Sequence, residues 1–264
     1  MTSLAANEFI ILEDGVEQQI QVFNSVDTPY NILLLFDRSG STENQWTLMQ
    51  RAAARFLRNI RPQDSMAVGF FDEGLTMLST WSDSRKEVEA ALEQLTKRGP
   101  GGGTNLYQSL ERGVQREFRS ATGRRALVVL TDGLDVRIGS QRRGTADPAF
   151  VKTTSIVQSA RVPLYFVALN TDRNPLGRET FGPLVVEART RMETLANVTG
   201  GAIFFPRNLG DIVGVYDQIS KDLSSSYSLA YTSSRPTASG QTRRIEVRVH
   251  GAKVKQSRET YVTP

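Results

Sequence analysis

The middle of the chain alternates between two kinds of segment, and this alternation constrains the fold more than any other feature. Short apolar runs rich in branched residues occupy residues 31–36, 66–71, 126–130, 163–169 and 202–205. Longer amphipathic stretches lie between and after them, at residues 46–59, 85–95, 106–118, 148–160, 187–198 and 209–223. Strands that alternate with helices are typical of βαβ units, and strands that are apolar at consecutive positions are buried on both faces. The pattern therefore predicts a Rossmann-like α/β fold: a doubly wound, mostly parallel sheet flanked by helices, with one antiparallel edge strand near residues 75–79.

The two ends of the chain have a different pattern. Asp14-Gly15 lies between apolar segments, which favours a hairpin because both central positions of a type I′ turn need positive φ. Apolar and polar residues alternate near residues 227–231 and 245–250, as in half-buried strands. Neither end is long enough to bury a sheet face alone. We therefore expect an α/β domain over residues 30–223 and one small β unit built from residues 1–29 together with 224–264.

Composition excludes several classes of site. The 264 residues include no cysteine and one histidine, His250, which excludes disulfides, zinc ribbons, iron–sulfur clusters and cysteine nucleophiles. A metal ion would have to be hard and bound by oxygen. The net charge of +4 is too small to indicate nucleic acid. No apolar run approaches the ~20 residues of a membrane span, and the first residues lack the features of a secretory signal.

Three loops carry residues suited to such an ion. Asp37-Arg38-Ser39-Gly40-Ser41 follows the first buried run, a glycine-rich segment ends in Thr104 before a helix, and Thr131-Asp132-Gly133 follows another buried run. Loops at the carboxyl ends of parallel strands are where open α/β sheets place their ligands. The predicted metal ligands are Asp37, Ser39, Ser41, Thr104 and Asp132.

The chemistry of these five donors favours Mg²⁺, with Mn²⁺ or Ca²⁺ as substitutes, because all of them are oxygens. Two carboxylates at most neutralise a divalent ion. If Asp132 acts through water, the inner shell holds only one anionic ligand, and the ion retains affinity for a carboxylate from outside. The same hydroxyl residues are also frequent helix caps, a role that Ser41 and Thr104 are able to combine with metal binding.

The Asp37-x-Ser39-x-Ser41 motif, the Gly-Gly-Thr104 loop and the Thr-Asp132-Gly loop resemble the metal-ion-dependent adhesion site of von Willebrand factor type A (VWA) domains, with all elements present and in order. The resemblance covers roughly residues 30–223. The flanks, with Glu13-Asp14-Gly15 and Gly240-x-x-Arg243-Arg244-Ile245-x-Val247, are similar to bacterial VWA-related proteins known from acidobacteria, in which β segments enclose the α/β domain.

The resemblance implies a non-enzymatic module in which Asp37, Ser39 and Ser41 bind the cation directly, Thr104 binds directly or through water, and Asp132 binds mainly through water. An aspartate or glutamate of a protein partner would complete the coordination. Precursors in this family are generally exported, which suggests a secreted or envelope location. From the predicted strand order, we expect the β unit at the pole opposite the metal site.

Two other functions fit the same sequence. The chain can be a scaffold subunit of a larger assembly, with a structural metal. A hydrolase that uses the ion as a Lewis acid would need a general base near it, and none is evident. The loops at residues 133–147 and 170–183 contain a set of arginines that would form a cationic rim around the ion, namely Arg137, Arg142, Arg143, Arg173 and Arg178.

Three smaller expectations concern single residues. His250 is expected to be exposed on a strand, and Asp72 and Glu73 are expected in a turn between two strands. Arg124 and Arg125 are expected in a solvated turn that connects a helix to a strand.

Overall fold

A computed structural model describes residues 4–40, 42, 46–97, 101–138, 147–169, 182–206, 209–235, 239–254, 256 and 258–263. The chain divides into two compact units. One is Pro29–Lys221, called here the α/β domain, and the other, called the β unit, combines Met1–Thr28 with Asp222–Pro264.

The α/β domain is built on a six-stranded sheet. Its strands are β4 (Tyr30–Asp37), β5 (Ser65–Phe71), β6 (Leu75–Met77), β7 (Arg124–Thr131), β8 (Leu164–Ala168) and β9 (Ala202–Phe204), in the spatial order β6-β5-β4-β7-β8-β9. All neighbouring pairs are parallel except β5 and β6, which are antiparallel. The predicted doubly wound sheet with one antiparallel edge strand is therefore confirmed, and Asp72 and Glu73 lie in the turn between β5 and β6 as expected.

Six α-helices in the described part of the chain flank this sheet. They are α1 (Trp46–Asn59), α2 (Arg85–Thr96), α3 (Leu106–Gln115), α4 (Pro148–Ala160), α5 (Gly182–Thr199) and α6 (Leu209–Ser225), and a 3₁₀ turn, Glu117–Ser120, follows α3. Residues 32–36 of β4 are all buried, because both faces of the strand are covered. Leu33 and Leu35 belong to one core cluster with residues of α3, α4 and α5. On helices α1 and α6, the rings of Phe56 and Tyr216 lie 4.8 Å apart.

Two sequence predictions need correction. Helix α5 begins at Gly182, five residues before the predicted start at residue 187. Arg124 and Arg125 are the first residues of β7 and not part of a turn. Arg124 is only 2% exposed, and its guanidinium carbon lies 3.9 Å from the centre of the Tyr30 ring. Tyr30 is its partner in the β4–β7 register, so the aromatic face allows the charged side chain to be buried.

The β unit contains two antiparallel sheets. One has the order β12-β11-β1-β2, formed by β1 (Phe9–Glu13), β2 (Val16–Gln18), β11 (Thr242–Val249) and β12 (Thr260–Val262). The other pairs β3 (Ile20–Asn24) with β10 (Ser228–Tyr231). Asp14 and Gly15, with φ of 47° and 81°, form the predicted turn between β1 and β2. His250 is exposed as expected, but it lies in the turn after β11 and not on a strand.

A buried carboxylate lies inside the β unit. Glu13 accepts hydrogen bonds from the hydroxyls of Ser233 at 2.7 Å and Tyr261 at 3.1 Å. Two residues of the C-terminal segment therefore satisfy a buried charge that the N-terminal segment carries. Within the described residues, no helix combines the length and the apolar composition needed to cross a membrane.

Candidate metal centre

Asp37 is the last residue of β4 and is completely buried. Its Oδ1 atom accepts a hydrogen bond from the backbone N–H of Ser39 at 2.9 Å, and its Oδ2 atom accepts one from the hydroxyl of Thr131 at 2.6 Å. The carboxylate is therefore held in place from two loops at once.

Asp132 is close to Asp37 because β4 and β7 are adjacent and parallel. Phe36 pairs with Leu130 in the register, so the residues that follow these two emerge side by side. Asp132 is 4% exposed, and its Oδ1 accepts a hydrogen bond from the Leu134 N–H at 3.0 Å. Thr131 accepts one from the Gly133 N–H at 2.9 Å. Sequence reasoning missed the role of Thr131, although it adjoins a predicted ligand.

The first loop turns sharply after Asp37. Ser39 is buried, and the hydroxyl of Thr42 lies 2.8 Å from the Asp37 carbonyl oxygen and 2.9 Å from that of Ser39. Thr42 therefore stabilises the turn that carries Ser39. The predicted ligand Ser41 lies outside the described residues.

Thr104 is buried directly before α3. Its carbonyl oxygen accepts a hydrogen bond from the Val136 N–H at 2.9 Å, which connects it to the loop that contains Asp132. The N-cap residue of α3 is Asn105, whose side chain makes no capping hydrogen bond. Instead, Asp135 accepts one from the Tyr107 N–H at 3.1 Å. Thr104 is therefore not the capping residue of this helix.

The electrostatics of the site are dominated by two buried carboxylates. Burial and the negative charge of Asp132 raise the pKa of Asp37 to about 7, although hydrogen bonds from Thr131 and Ser39 oppose this shift. Arg38, the adjacent basic residue, forms an ion pair with Asp72. A divalent cation between the two loops would offset both burial and repulsion. The donor set of carboxylates and hydroxyls fits a hard ion.

The described residues place four predicted ligands, Asp37, Ser39, Thr104 and Asp132, in loops joined by hydrogen bonds. Among those residues, no group of three or more acidic, histidine or cysteine side chains is arranged to hold a metal. Of the predicted cationic rim, only Arg137 belongs to the described residues, and it is half-buried.

Residues 32–134, which span all three loops, match the sequence profile of the von Willebrand factor type A domain. The α/β domain is a VWA domain. Domains of this family often bind a metal at the position that these loops form, and they commonly mediate protein–protein interactions.

Solved structures share the fold of the VWA domain. A von Willebrand factor type A protein from Catenulispora acidiphila is 14% identical with a TM-score of 0.59, over 85% of this chain and 52% of the other. The PilB minor pilin from Streptococcus sanguinis, as its D319A mutant, is 11% identical with a TM-score of 0.57, over 80% of this chain and 65% of the pilin. The chain thus spans about half to two thirds of these two proteins.

A third similar structure is the von Willebrand factor domain of the type V pili tip protein Mfa5 from Porphyromonas gingivalis. It is 12% identical with a TM-score of 0.54, over 74% of this chain and 95% of that domain. At these identities the likeness concerns the fold alone.

Proposed function

We propose that this VWA domain is a cation-dependent protein-binding module. Asp37, Ser39, Ser41, Thr104 and Asp132 hold a divalent cation, Mg²⁺ or its substitutes Mn²⁺ and Ca²⁺. A glutamate or aspartate of a protein partner completes the coordination. The observation that carries the proposal is the arrangement of Asp37 and Asp132: two buried carboxylates, oriented by hydrogen bonds from adjacent loops and close enough to raise the pKa of Asp37.

The charges of the ligands explain why the partner should be acidic. When bound, the cation supplies a positive centre that attracts an oxygen anion. Asp37 contributes one negative charge, while Ser39, Ser41 and Thr104 are neutral. If Asp132 contacts the ion through water, the inner shell keeps an excess of positive charge. A partner carboxylate removes that excess, which makes binding selective for acidic side chains.

We propose binding rather than catalysis, since no general base is evident beside the proposed ligands among the residues that the structure describes. His250, the only histidine in the chain, belongs to the β unit and is exposed. The similar structures include a minor pilin and a pilus tip protein. We therefore also propose that the protein works outside the cytoplasm or in the cell envelope.

Calorimetric titration with Mg²⁺ and Mn²⁺ tests the metal site. We expect one ion per wild-type chain and no measurable binding to Asp37→Ala. The matched control is Glu89→Ala, which removes an exposed carboxylate from α2 and should bind like the wild type. Equal heats for the wild type and Asp37→Ala would refute the site.

Water-proton relaxation tests the open coordination position. Mn²⁺ bound to the wild type should enhance relaxation through its coordinated water, and a glutamate-containing peptide should reduce this enhancement. The same peptide with glutamine is the control and should have little effect. If the two peptides act alike, the ion does not take an outside carboxylate.

Capture experiments separate the module from a scaffold subunit. Immobilised wild-type protein should retain partners from an envelope extract of the source organism in Mg²⁺, and both a chelator and Asp37→Ala should release them. Retention that ignores both treatments would support the scaffold function with a structural metal.

A further inference from the structure

Arg38 lies between two of the predicted ligands, Asp37 and Ser39, and its side chain turns to the neighbouring strand. Its Nε atom donates a hydrogen bond to Asp72 Oδ2 at 3.0 Å, and its Nη2 atom contacts the same oxygen. The guanidinium carbon lies 4.6 Å from the centre of the Phe70 ring. The Arg38 and Asp72 side chains are only 19% and 16% exposed. Arg38 is therefore held by a charge-assisted pair and by an aromatic face together.

The backbones of these two residues bind the segment that carries Thr104, one at each end. The Gly101 N–H donates a hydrogen bond to the Arg38 carbonyl oxygen at 2.8 Å, and the Asn105 N–H donates one to the Asp72 carbonyl oxygen at 2.7 Å. The Arg38 N–H also donates to the Phe71 carbonyl oxygen at 2.8 Å. The Arg38–Asp72 pair thus bridges the two backbones that fix the ends of residues 101–105.

The backbone of Gly101 lies very close to Arg38 and Asp72. A Cβ atom at this position would lie 2.7 Å from both Cβ and Oδ2 of Asp72, and 3.1 Å from the Arg38 carbonyl oxygen. Only glycine fits here without displacement of the pair. The glycine-rich segment is therefore packed against the ion pair itself.

We propose that Arg38 and Asp72 are a positioning pair that sets the place of Thr104 relative to Asp37. The inference deepens the proposed cation site and rests on it. Neither side chain binds the cation. Their interaction keeps two strand ends at a fixed separation, and the backbones of the same two residues hold the threonine segment. Asp72 also neutralises the positive charge of Arg38, which would otherwise repel a cation at the neighbouring site.

Substitution of Arg38 distinguishes a role in positioning Thr104 from a purely electrostatic effect on the cation. Removal of a positive charge beside a cation site should tighten cation binding by electrostatics alone. If the pair positions Thr104, Arg38→Gln should instead weaken Mn²⁺ binding about tenfold, as is typical when a residue that orients a metal ligand is removed. Asp72→Asn should weaken binding by a similar factor. The double variant should be no weaker than either single variant, because one interaction is lost in all three.

Two further measurements connect the effect to Thr104. In a Thr104→Ala background, Arg38→Gln should cause no further loss of Mn²⁺ affinity. In the metal-free protein, the amide hydrogens of Gly101 and Asn105 should exchange about tenfold faster in Arg38→Gln than in the wild type, because their acceptors are less fixed. The control is Arg248→Gln, which removes the exposed ion pair with Glu246 in β11 and should change neither quantity.

Arg38→Gln that binds Mn²⁺ as tightly as the wild type or more tightly, with unchanged amide exchange, would overturn the inference. If this variant does not fold, Arg38→Lys replaces it, because lysine keeps the charge but lacks the planar guanidinium. Weaker Mn²⁺ binding and faster amide exchange in Arg38→Lys would then support the inference, and wild-type values of both would overturn it. If the wild type binds no Mn²⁺, the proposed function fails, while amide exchange in the metal-free chain still tests the positioning pair.

Discussion

The two ends of the central strands treat buried charge in opposite ways. At the amino ends of β4 and β7, Arg124 lies against the Tyr30 ring, and Asp64 accepts hydrogen bonds from the Tyr30 N–H at 2.8 Å and from Arg61 at 2.7 Å. The buried charges at this end are thus balanced by opposite charges and an aromatic ring of the protein itself. At the carboxyl ends of the same strands, Asp37 and Asp132 carry the same charge, and each raises the cost of ionising the other.

We interpret the amino end of the sheet as structural and propose that the carboxyl end, which carries the proposed cation site, is functional. Buried ions that are paired within the protein stabilise a particular packing and need nothing from outside. Like charges held together destabilise the fold locally, and they are compensated by protonation of one group or by an external cation. The structural end should therefore respond to mutation through stability, and the functional end through ligand binding.

The largest effect on stability is expected at the structural end. Arg124→Ala removes a buried side chain and the partner of the Tyr30 ring, so the free energy of unfolding should fall by about 3 kcal/mol. Arg124→Met keeps most of the volume and should lose about 1 kcal/mol. Chemical denaturation measures both. Cation affinity should not change, and a tenfold loss of Mn²⁺ affinity in either variant would show that the two ends are not independent.

Asp132→Asn should produce the opposite pattern. The amide oxygen can still accept the hydrogen bond from Leu134, while the repulsion of Asp37 disappears. We expect Mg²⁺ affinity to fall about 10- to 100-fold and the metal-free protein to gain about 1 kcal/mol of stability. Calorimetry and denaturation of the metal-free protein measure the two effects. A variant that is less stable and binds Mg²⁺ normally would contradict the assignment of Asp132.

A third cluster, around Arg191, pairs its buried charges within the protein, so we expect its mutation to change stability. Arg191 donates hydrogen bonds to Asp147 at 2.8 Å and to the Tyr107 hydroxyl at 3.1 Å, and it contacts Glu187. Burial raises the pKa of Asp147, but hydrogen bonds from Arg191 and the Ala149 N–H, with the Arg191 charge, lower it more, so the pKa lies below its ordinary value. The Arg191 cluster is therefore similar to the structural end, where buried ions are paired within the protein.

The stability that Asp147 contributes should therefore be lost in acid. A carboxyl group with a lowered pKa in the folded state stabilises the fold above its unfolded pKa, and this contribution disappears as the pH falls below 3.8 and through the folded value. Asp147→Asn should cost about 1.5 kcal/mol at pH 7 and less at low pH. Denaturation midpoints across this range measure it. A cost independent of pH would mean that packing, not charge, is responsible.

The sequence predicted the regular elements well because their signals are local. Residues 32–36 are apolar at every position, as a strand buried on both faces requires, and Asp14-Gly15 gave the hairpin turn. The strand ends then placed Asp37 and Asp132 at one edge of the sheet, as found. Gly182-Pro183 at the start of α5 resembles a turn in isolation, which is why the first residues of that helix were not predicted.

The contacts that the sequence did not reveal depend on side chains far apart in the chain. Arg124 was interpreted as solvated because nothing near it in sequence shows that the Tyr30 ring covers it. The same holds for Arg38 and Asp72, which meet only because β4 and β5 are neighbours. Asp135 likewise caps a helix that begins almost thirty residues earlier. Local sequence patterns predict the position of a proposed metal-binding residue in the chain. The residues that orient its side chain or loop are brought close only by the register of the sheet.

The pairing of β1 with β11 affects the order in which the chain can fold. Phe9 lies opposite Val249, so a ribosome that has synthesised β1 must continue through the whole VWA domain and β11 before the partner strand exists. The VWA domain, Pro29–Lys221, is a compact unit by itself, and it is free to form earlier. Until β11 arrives, the apolar edge of β1 and its hairpin is open to wrong partners. Pairing between distant segments is slow. We therefore expect misfolding and dependence on chaperones to arise mainly while the β unit forms.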